Sequence, residues 1–127
     1  SELTNQEWAV FVSTRQNGEY QIARHGWIGD YSDPMTFLDM WVTGGGNNDC
    51  GFSNSEYDSL IAEAKVETDT KKREELLRQA DDILMDEMPV IPVYFYTTVM
   101  AWNDDVEGVL VTALGKVYFK NAYKIAK

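Results

Sequence analysis

The chain has 127 residues, of which 44% are hydrophobic and 13% aromatic, so it can form one domain with its own core. Its formal net charge is -10, and no segment offers the basic face that binding to nucleic-acid phosphates requires. Every apolar run is shorter than the ~20 residues that cross a bilayer. The single cysteine, Cys50, cannot form an internal disulfide and is expected to be a spectator.

The N-terminal part of the chain predicts a short helix and then a strand. Aromatic and apolar side chains recur there at the spacing of one helix face, until Asn17-Gly18 stops the pattern. We therefore expect a helix at about 6–16. The next run, 20–28, alternates roughly between polar and apolar residues and is bounded by glycine. This pattern predicts a strand that ends in the loop 29–34.

The middle of the chain predicts three helices. A short one over 35–42 should follow Pro34, and the glycine- and asparagine-rich stretch 43–51 should be a loop. Two amphipathic helices are expected at about 54–66 and 70–87. Their candidate caps are Ser53, with Glu56 completing a capping box, or Asn54 for the first, and Asp69 or Thr70 for the second.

The C-terminal part predicts two strands. The apolar run 90–96 follows Met88-Pro89 and is typical of a strand buried on both faces. A polar turn and a last strand at 117–119 come next. The sequence thus predicts an α/β arrangement, in which both long helices pack on a sheet containing 22–28 and 90–96.

The inventory of reactive side chains argues against an enzyme. There is one histidine, one cysteine and no serine in a nucleophile-elbow context. His25 is interpreted as a polar strand residue rather than a base. Asp30 and Asp33 lie close together, but they match no calcium-loop pattern and precede a proline, as turn formers do. We therefore expect no catalytic residue, no metal and no cofactor.

Aromatic and charged residues gather at the end of the strand predicted at 20–28, namely Arg24, Trp27, Asp30 and Tyr31. Ligand sites in open α/β sheets lie beyond the carboxyl ends of strands, so this position favours a binding site. The alternative is that Trp27 and Tyr31 belong to the core and that Asp30 caps the helix after Pro34. The pattern alone leaves both interpretations open.

The stretch 23–34, Ala-Arg-His-Gly-Trp-Ile-Gly-Asp-Tyr-Ser-Asp-Pro, closely resembles the signature segment of oligopeptide- and dipeptide-binding proteins. These are the receptors of ABC importers, extracellular solute-binding protein family 5. The resemblance continues in order through 5–15, 52–60, 69–84 and 88–94, and so covers nearly the whole chain. Family members are several times longer and have two hinged lobes that enclose the peptide.

The resemblance implies that the chain is a C-terminal fragment with part of the second lobe of a two-lobe, type II periplasmic-binding-protein-like fold. Residues 1–101 would be the later half of the C-terminal peptide-binding lobe, and 102–127 the segment that crosses back toward the N-terminal lobe. Without the lobe that it normally contacts, we expect the tail from about Val117 onward to be mobile or to pair with another copy. The implied partners are an oligopeptide, the ABC permease subunits and the missing N-terminal lobe. The implied location is extracytoplasmic, either periplasmic or lipid-anchored to the outer face of the cell membrane.

The resemblance also implies roles for individual residues. The family aspartate that matches Asp30 pairs with the α-ammonium group of the peptide. Trp8 and Trp27 match aromatic residues near the ligand pockets, and Tyr31 lies beside Asp30 in the same segment. Arg24 matches an arginine that in some members meets the carboxylate of short peptides.

The chain departs from the family pattern at one position, and the resemblance leaves alternative ligands and functions open. Some family members carry a disulfide-forming cysteine where this chain has Ile28, which we expect to be a core residue instead. Relatives bind nickel, haem or sugars, but an amine-directed carboxylate at Asp30 favours a peptide. A carbohydrate-binding or adhesive module would also use exposed aromatic residues near an aspartate. A peptide-pheromone receptor would use the same lobe as an importer.

Overall fold

The computed structural model describes residues 2–125. Its elements, in chain order, are α1 (Trp8–Gln16), α2 (Met35–Leu38), a 3₁₀ helix (Asp39–Trp41), α3 (Ser55–Val66), α4 (Thr70–Glu87), β1 (Val106–Glu107), β2 (Leu110–Val111), β3 (Val117–Tyr118) and β4 (Tyr123–Lys124). The described residues form two compact units. The first comprises the residues up to Trp27 together with Asp33–Ile91, and the second comprises Ile28–Ser32 with the residues from Pro92 onward.

Helix α1 confirms the helix expected at about 6–16. The carboxylate of Glu7 accepts hydrogen bonds from the backbone N–H groups of Ala9 and Val10, at 2.9 and 3.4 Å, and so satisfies two of the free donors of the first turn. The helix ends at Asn17, and Gly18 follows with a φ of +70°, a conformation that glycine adopts without steric cost.

The two long helices are confirmed, and each begins at an expected cap. Asn54 caps α3, because its side-chain oxygen accepts from the N–H groups of Glu56 and Tyr57 at 2.9 and 3.0 Å. The capping box from Ser53 is therefore not formed. Asp69 caps α4 by accepting from the N–H of Lys72 at 2.9 Å.

The core of the first unit lies where α2 and the 3₁₀ helix meet the packed pair α3 and α4. Apolar residues three and four apart on each long helix face this core, as the amphipathic pattern predicted. Its buried members are Met35, Leu38, Met40, Trp41, Tyr57, Ile61, Ala64, Leu76, Leu77, Ala80 and Leu84. The glycine-rich stretch 43–51 forms turns, as expected.

The strand predicted over 20–28 is not formed within the described residues. The segment lacks regular structure, and none of residues 2–125 runs beside it to complete a ladder of backbone hydrogen bonds, which a strand requires. Ile22 is 86% exposed and Ile28 is 72% exposed. The expectation that Ile28 is a core residue is therefore wrong for this chain, because residues 2–125 leave most of its surface uncovered.

The buried strand predicted over 90–96 is also wrong. Between 91 and 99 the backbone makes no hydrogen bond among the described residues, and the large apolar side chains are exposed. Those of the exposed stretch, called here the 91–99 strip, are Ile91, Val93, Tyr94, Phe95, Tyr96 and Val99. The sheet expected to join 22–28 to 90–96 is thus absent from the part of the chain described, and the long helices pack on each other instead.

The strand predicted near 117–119 is confirmed as β3. β3 pairs antiparallel with β2, and β4 pairs antiparallel with β1. The hydroxyl of Tyr123 donates to the Glu107 carboxylate across the second pair, and Lys124 forms an ion pair with Asp105 at 3.1 Å. Through residue 125, the tail therefore pairs within its own chain, and the expectation of a mobile tail or one paired with another copy is wrong.

Among residues 2–125, no helix is long and apolar enough to cross a membrane.

Candidate functional site

The segment that carries the predicted site, called here the 28–32 loop (Ile28–Ser32), lies between two residues that contact the first unit. Trp27 precedes the loop and Asp33 follows it, and both belong to that unit. Asp30 and Tyr31 lie within the loop and are exposed, Tyr31 to 45%. The interpretation of Tyr31 as a core residue is therefore wrong.

Trp27 is fixed by the short helix α2. Its indole Nε1 donates a hydrogen bond of 3.5 Å to the hydroxyl of Thr36, a side chain that is only 2% exposed. The half-buried ring also packs against the hydrophobic core. Trp27 is thus partly a core residue, as one of the two interpretations proposed, and its remaining surface is open to solvent.

Asp33 contacts the start of α2. Its Oδ1 accepts a hydrogen bond of 2.8 Å from the N–H of Met35, the first residue of that helix. The Asp33 carboxylate also accepts a hydrogen bond of 2.9 Å from each terminal nitrogen of Arg73, which makes a bidentate ion pair with α4. The hydrogen bond from Arg73 and then that from the Met35 N–H lower the pKa of the Asp33 carboxyl.

The two other predicted site residues lie in the first unit. Trp8 is on α1, 62% exposed, with its ring centroid 5.9 Å from that of Phe11. Arg24 is exposed in the segment before Trp27. Over residues 2–125, no ring contact or ion pair joins Trp8, Arg24 and Trp27 to one another, so each presents its surface separately.

The sequence interpretation missed a polar cluster between α1 and the glycine-rich loop. Arg15 and Asp49 form an ion pair of 2.7 Å, and only 17% and 12% of their side chains are exposed. The hydroxyl of Tyr20 donates to the Asp49 carbonyl, and the ring of His25 lies 5.9 Å from that of Trp41. Arg15 lies one turn after Phe11 and Val12, so its spacing in the sequence indicated a helix face and gave no sign of an ion pair.

The residues around His25 shift its pKa, so its contribution to stability depends on pH. Burial lowers the pKa of His25, and the Arg15 guanidinium lowers it further, while the Asp49 carboxylate acts in the opposite direction. Since the folded chain binds this proton less readily than the unfolded chain, the contribution of His25 to stability is present above its unfolded pKa of about 6.5 and is lost as the pH falls.

We expect the free energy of unfolding of the chain to fall more steeply from about pH 8 to about pH 5 than that of His25→Gln, because the chain has one histidine and no other side chain titrates ordinarily there. Urea unfolding of both proteins at several pH values measures this difference. Parallel pH profiles of the two proteins would show that the pKa of His25 is not lowered in the folded state.

The described residues hold no group of three or more His, Cys, Asp or Glu side chains placed to bind a metal ion. Cys50 is exposed. What the arrangement offers is a carboxylate and several aromatic surfaces facing solvent, which suits recognition of a ligand by charge and apolar contact.

Comparison with known proteins identifies the fold. No protein-family model matches the chain. The chain is 46% identical over 123 residues to the oligopeptide-binding protein OppA of Bacillus subtilis, covering 96% of this chain and 23% of that protein. The structure of the murein tripeptide-binding protein MppA of Escherichia coli superposes with a TM-score of 0.84 at 29% identity, over 99% of this chain and 25% of that one. The Haemophilus influenzae OppA complex with the peptide RPPGFSPFR gives a TM-score of 0.82 at 29% identity, over 98% and 25%.

These likenesses define a partial lobe of a two-lobe, periplasmic-binding-protein-like α/β fold, and they confirm the predicted fold class. The chain belongs to the oligopeptide- and dipeptide-binding proteins, extracellular solute-binding protein family 5, as its sequence indicated. It spans about a quarter of the length of these relatives, which are named as binding proteins.

Proposed function

We propose that the protein to which this chain belongs captures oligopeptides outside the cytoplasm and delivers them to the permease subunits of an ABC importer. The observation that carries this proposal is the 46% identity, along 96% of the chain, to a protein named for oligopeptide binding. An extracytoplasmic location fits the same comparison, since the related MppA is named as a periplasmic protein. Periplasmic residence and a lipid anchor on the outer face of the membrane are both compatible with this role, which involves no cofactor and no catalysis.

The proposed division of labour follows the lobes of the family. Residues 1–101 supply the later half of the C-terminal peptide-binding lobe, and 102–127 cross back toward the N-terminal lobe, which closes over the ligand. Closure excludes water and strengthens every charge interaction inside the site. The chain described here therefore contributes one face of the site.

Asp30 is the proposed anchor for the α-ammonium group of the peptide. Asp30 is an exposed residue of the 28–32 loop. Every unblocked peptide carries this positive charge whatever its sequence, so one carboxylate can hold the common end of many ligands. Trp8, Trp27 and Tyr31 offer exposed or half-buried aromatic surface for side chains, and Arg24 offers a cation for the carboxylate of short peptides.

A carbohydrate-binding module is the second candidate, since exposed Trp and Tyr rings beside a carboxylate also suit sugars. We expect unblocked tri- to pentapeptides to raise the melting temperature of the full-length protein by a few degrees at saturation, and mono- and disaccharides to leave it unchanged. The same peptides should not shift the melting of the 127-residue chain alone, because it lacks the closing lobe. Stabilisation by sugars but not by peptides would refute the proposal.

A further inference from the structure

We propose that Asp33 and Arg73 are positioning residues for the peptide anchor: their bidentate ion pair fixes one end of the 28–32 loop, so that the Asp30 carboxylate is held ready for the ligand's ammonium group. This inference rests on the proposed function and adds two residues to it. Neither of them was among the residues that the sequence indicated for the site.

The 28–32 loop is short and is fixed at both ends. On one side, the indole of Trp27 donates to the buried Thr36 and packs on the core. On the other side, Asp33 accepts from the Met35 N–H and from both terminal nitrogens of Arg73. Only five residues separate these two fixed points, so they restrict the conformations open to Asp30.

Arg73 is itself held in place, so the pair connects the loop to the core. The Nε of Arg73 donates to the Ala64 carbonyl at the end of α3, at 3.1 Å, while the terminal nitrogens reach Asp33. Ala64 is fully buried between the two long helices. The guanidinium thus uses its fork toward the loop and its remaining N–H toward the helix pair, an arrangement that the single ammonium group of a lysine cannot reproduce.

The side chains of Arg73 and Asp33 are 28% and 30% exposed. The main effect of the pair is therefore to fix the position of the loop and not to stabilise the fold. Ion pairs open to solvent contribute little to stability. Holding a binding group in its bound conformation improves affinity, because the loop does not have to be ordered when the ligand arrives. The pair should therefore affect ammonium recognition more than it affects folding.

The test uses the full-length receptor and two probes, trialanine and N-acetyl-trialanine, whose dissociation constants are measured by calorimetry. The dissociation constant of N-acetyl-trialanine divided by that of trialanine reports how much of the affinity comes from the ligand's charge. Asp33→Asn keeps an oxygen for the Met35 N–H but removes the charged pair, and Arg73→Lys keeps the charge but removes the fork. We expect each variant to reduce the ratio about tenfold.

Arg78→Lys is the matched control. Arg78 lies on the same helix and also pairs with carboxylates, but these belong to Glu75 and Asp82 of α4 itself, and its side chain is 59% exposed. This variant should keep the wild-type ratio. A melting curve for each variant separates a loss of fold from a loss of recognition, and the two variants at the pair provide independent readings.

The outcomes separate the inference from the function on which it rests. A wild-type ratio near one would overturn the proposed role of Asp30 and the positioning inference with it. A large wild-type ratio that Asp33→Asn and Arg73→Lys both preserve would overturn the positioning inference alone, since the pair would then be structural. A reduced ratio in both variants with the control unchanged supports the inference.

Discussion

Asp30→Ala in the full-length receptor is expected to weaken peptide binding by about two to four decades in dissociation constant. Removing one partner of a buried ion pair costs roughly 3–5 kcal/mol, because the other charge stays enclosed without compensation. Asp30 is an exposed residue in the present chain, and the proposed burial comes from closure of the N-terminal lobe over the ligand. Calorimetry with an unblocked tripeptide measures the effect.

Acetylated peptides provide the independent control for Asp30→Ala. Acetylation removes the charge of the ligand and leaves the protein unchanged, so wild type should bind N-acetyl peptides poorly. Asp30→Ala should then cause little further loss with these ligands, because the pair is already broken. Equal affinity of wild type for free and acetylated peptides would show that Asp30 is not the amine anchor.

Tyr57→Ala is expected to lower the free energy of unfolding of the 127-residue chain by about 3–5 kcal/mol, the range for removing a large aromatic side chain from a core. Tyr57 is fully buried, and its ring meets that of Phe52 edge to face with centroids 5.5 Å apart. Its hydroxyl donates to the carbonyl of Leu38 at the end of α2, and burial raises its pKa. The side chain therefore connects α3 to the helix that follows the 28–32 loop.

Two further variants separate the contributions of the Tyr57 ring and hydroxyl. Tyr57→Phe keeps the ring but removes the hydrogen bond to Leu38, and should cost about 1–3 kcal/mol. Tyr96→Ala removes a tyrosine that is 72% exposed, and should cost less than about 0.5 kcal/mol. Urea unfolding of the three variants gives the comparison. Similar losses for Tyr57→Ala and Tyr96→Ala would contradict the assignment of Tyr57 to the core.

The helices could be predicted because their signals are local. The side chains that begin α3 and α4, Asn54 and Asp69, lie next to the apolar faces they precede, and both were among the expected caps. Each backbone hydrogen bond of a helix joins residues four apart, so a helix can form without any partner from elsewhere in the protein. Sequence patterns therefore located these elements well.

The two expected strands failed for the opposite reason. A strand needs a neighbour, and within residues 2–125 neither 20–28 nor 90–96 has one. Pro92 gave a signal that the apolar pattern obscured, since a residue without an N–H is confined to sheet edges. The pairs that do form, such as β1 with β4, join two-residue segments too short for periodicity to reveal.

The residues of the candidate site also differ in how far the sequence could predict them. Asp30 could be proposed as a site residue because its surrounding segment is contiguous and resembles a family signature. The partner of Asp33 lies 40 residues further along the chain, and the partner of Arg15 lies 34 residues further. Such pairs depend on how the helices pack, and a single sequence gives no indication of which distant charge a given carboxylate meets.

The 91–99 strip has a consequence for handling the chain by itself. From 90 to 102 the sequence carries no charged residue, in a molecule whose formal net charge is -10. Its exposed apolar side chains and unpaired backbone groups form a template on which other extended chains can assemble, and Pro92 interrupts that template at one position only. Electrostatic repulsion between copies is weakest along this stretch, so aggregation of the isolated polypeptide would begin there rather than at the acidic helices.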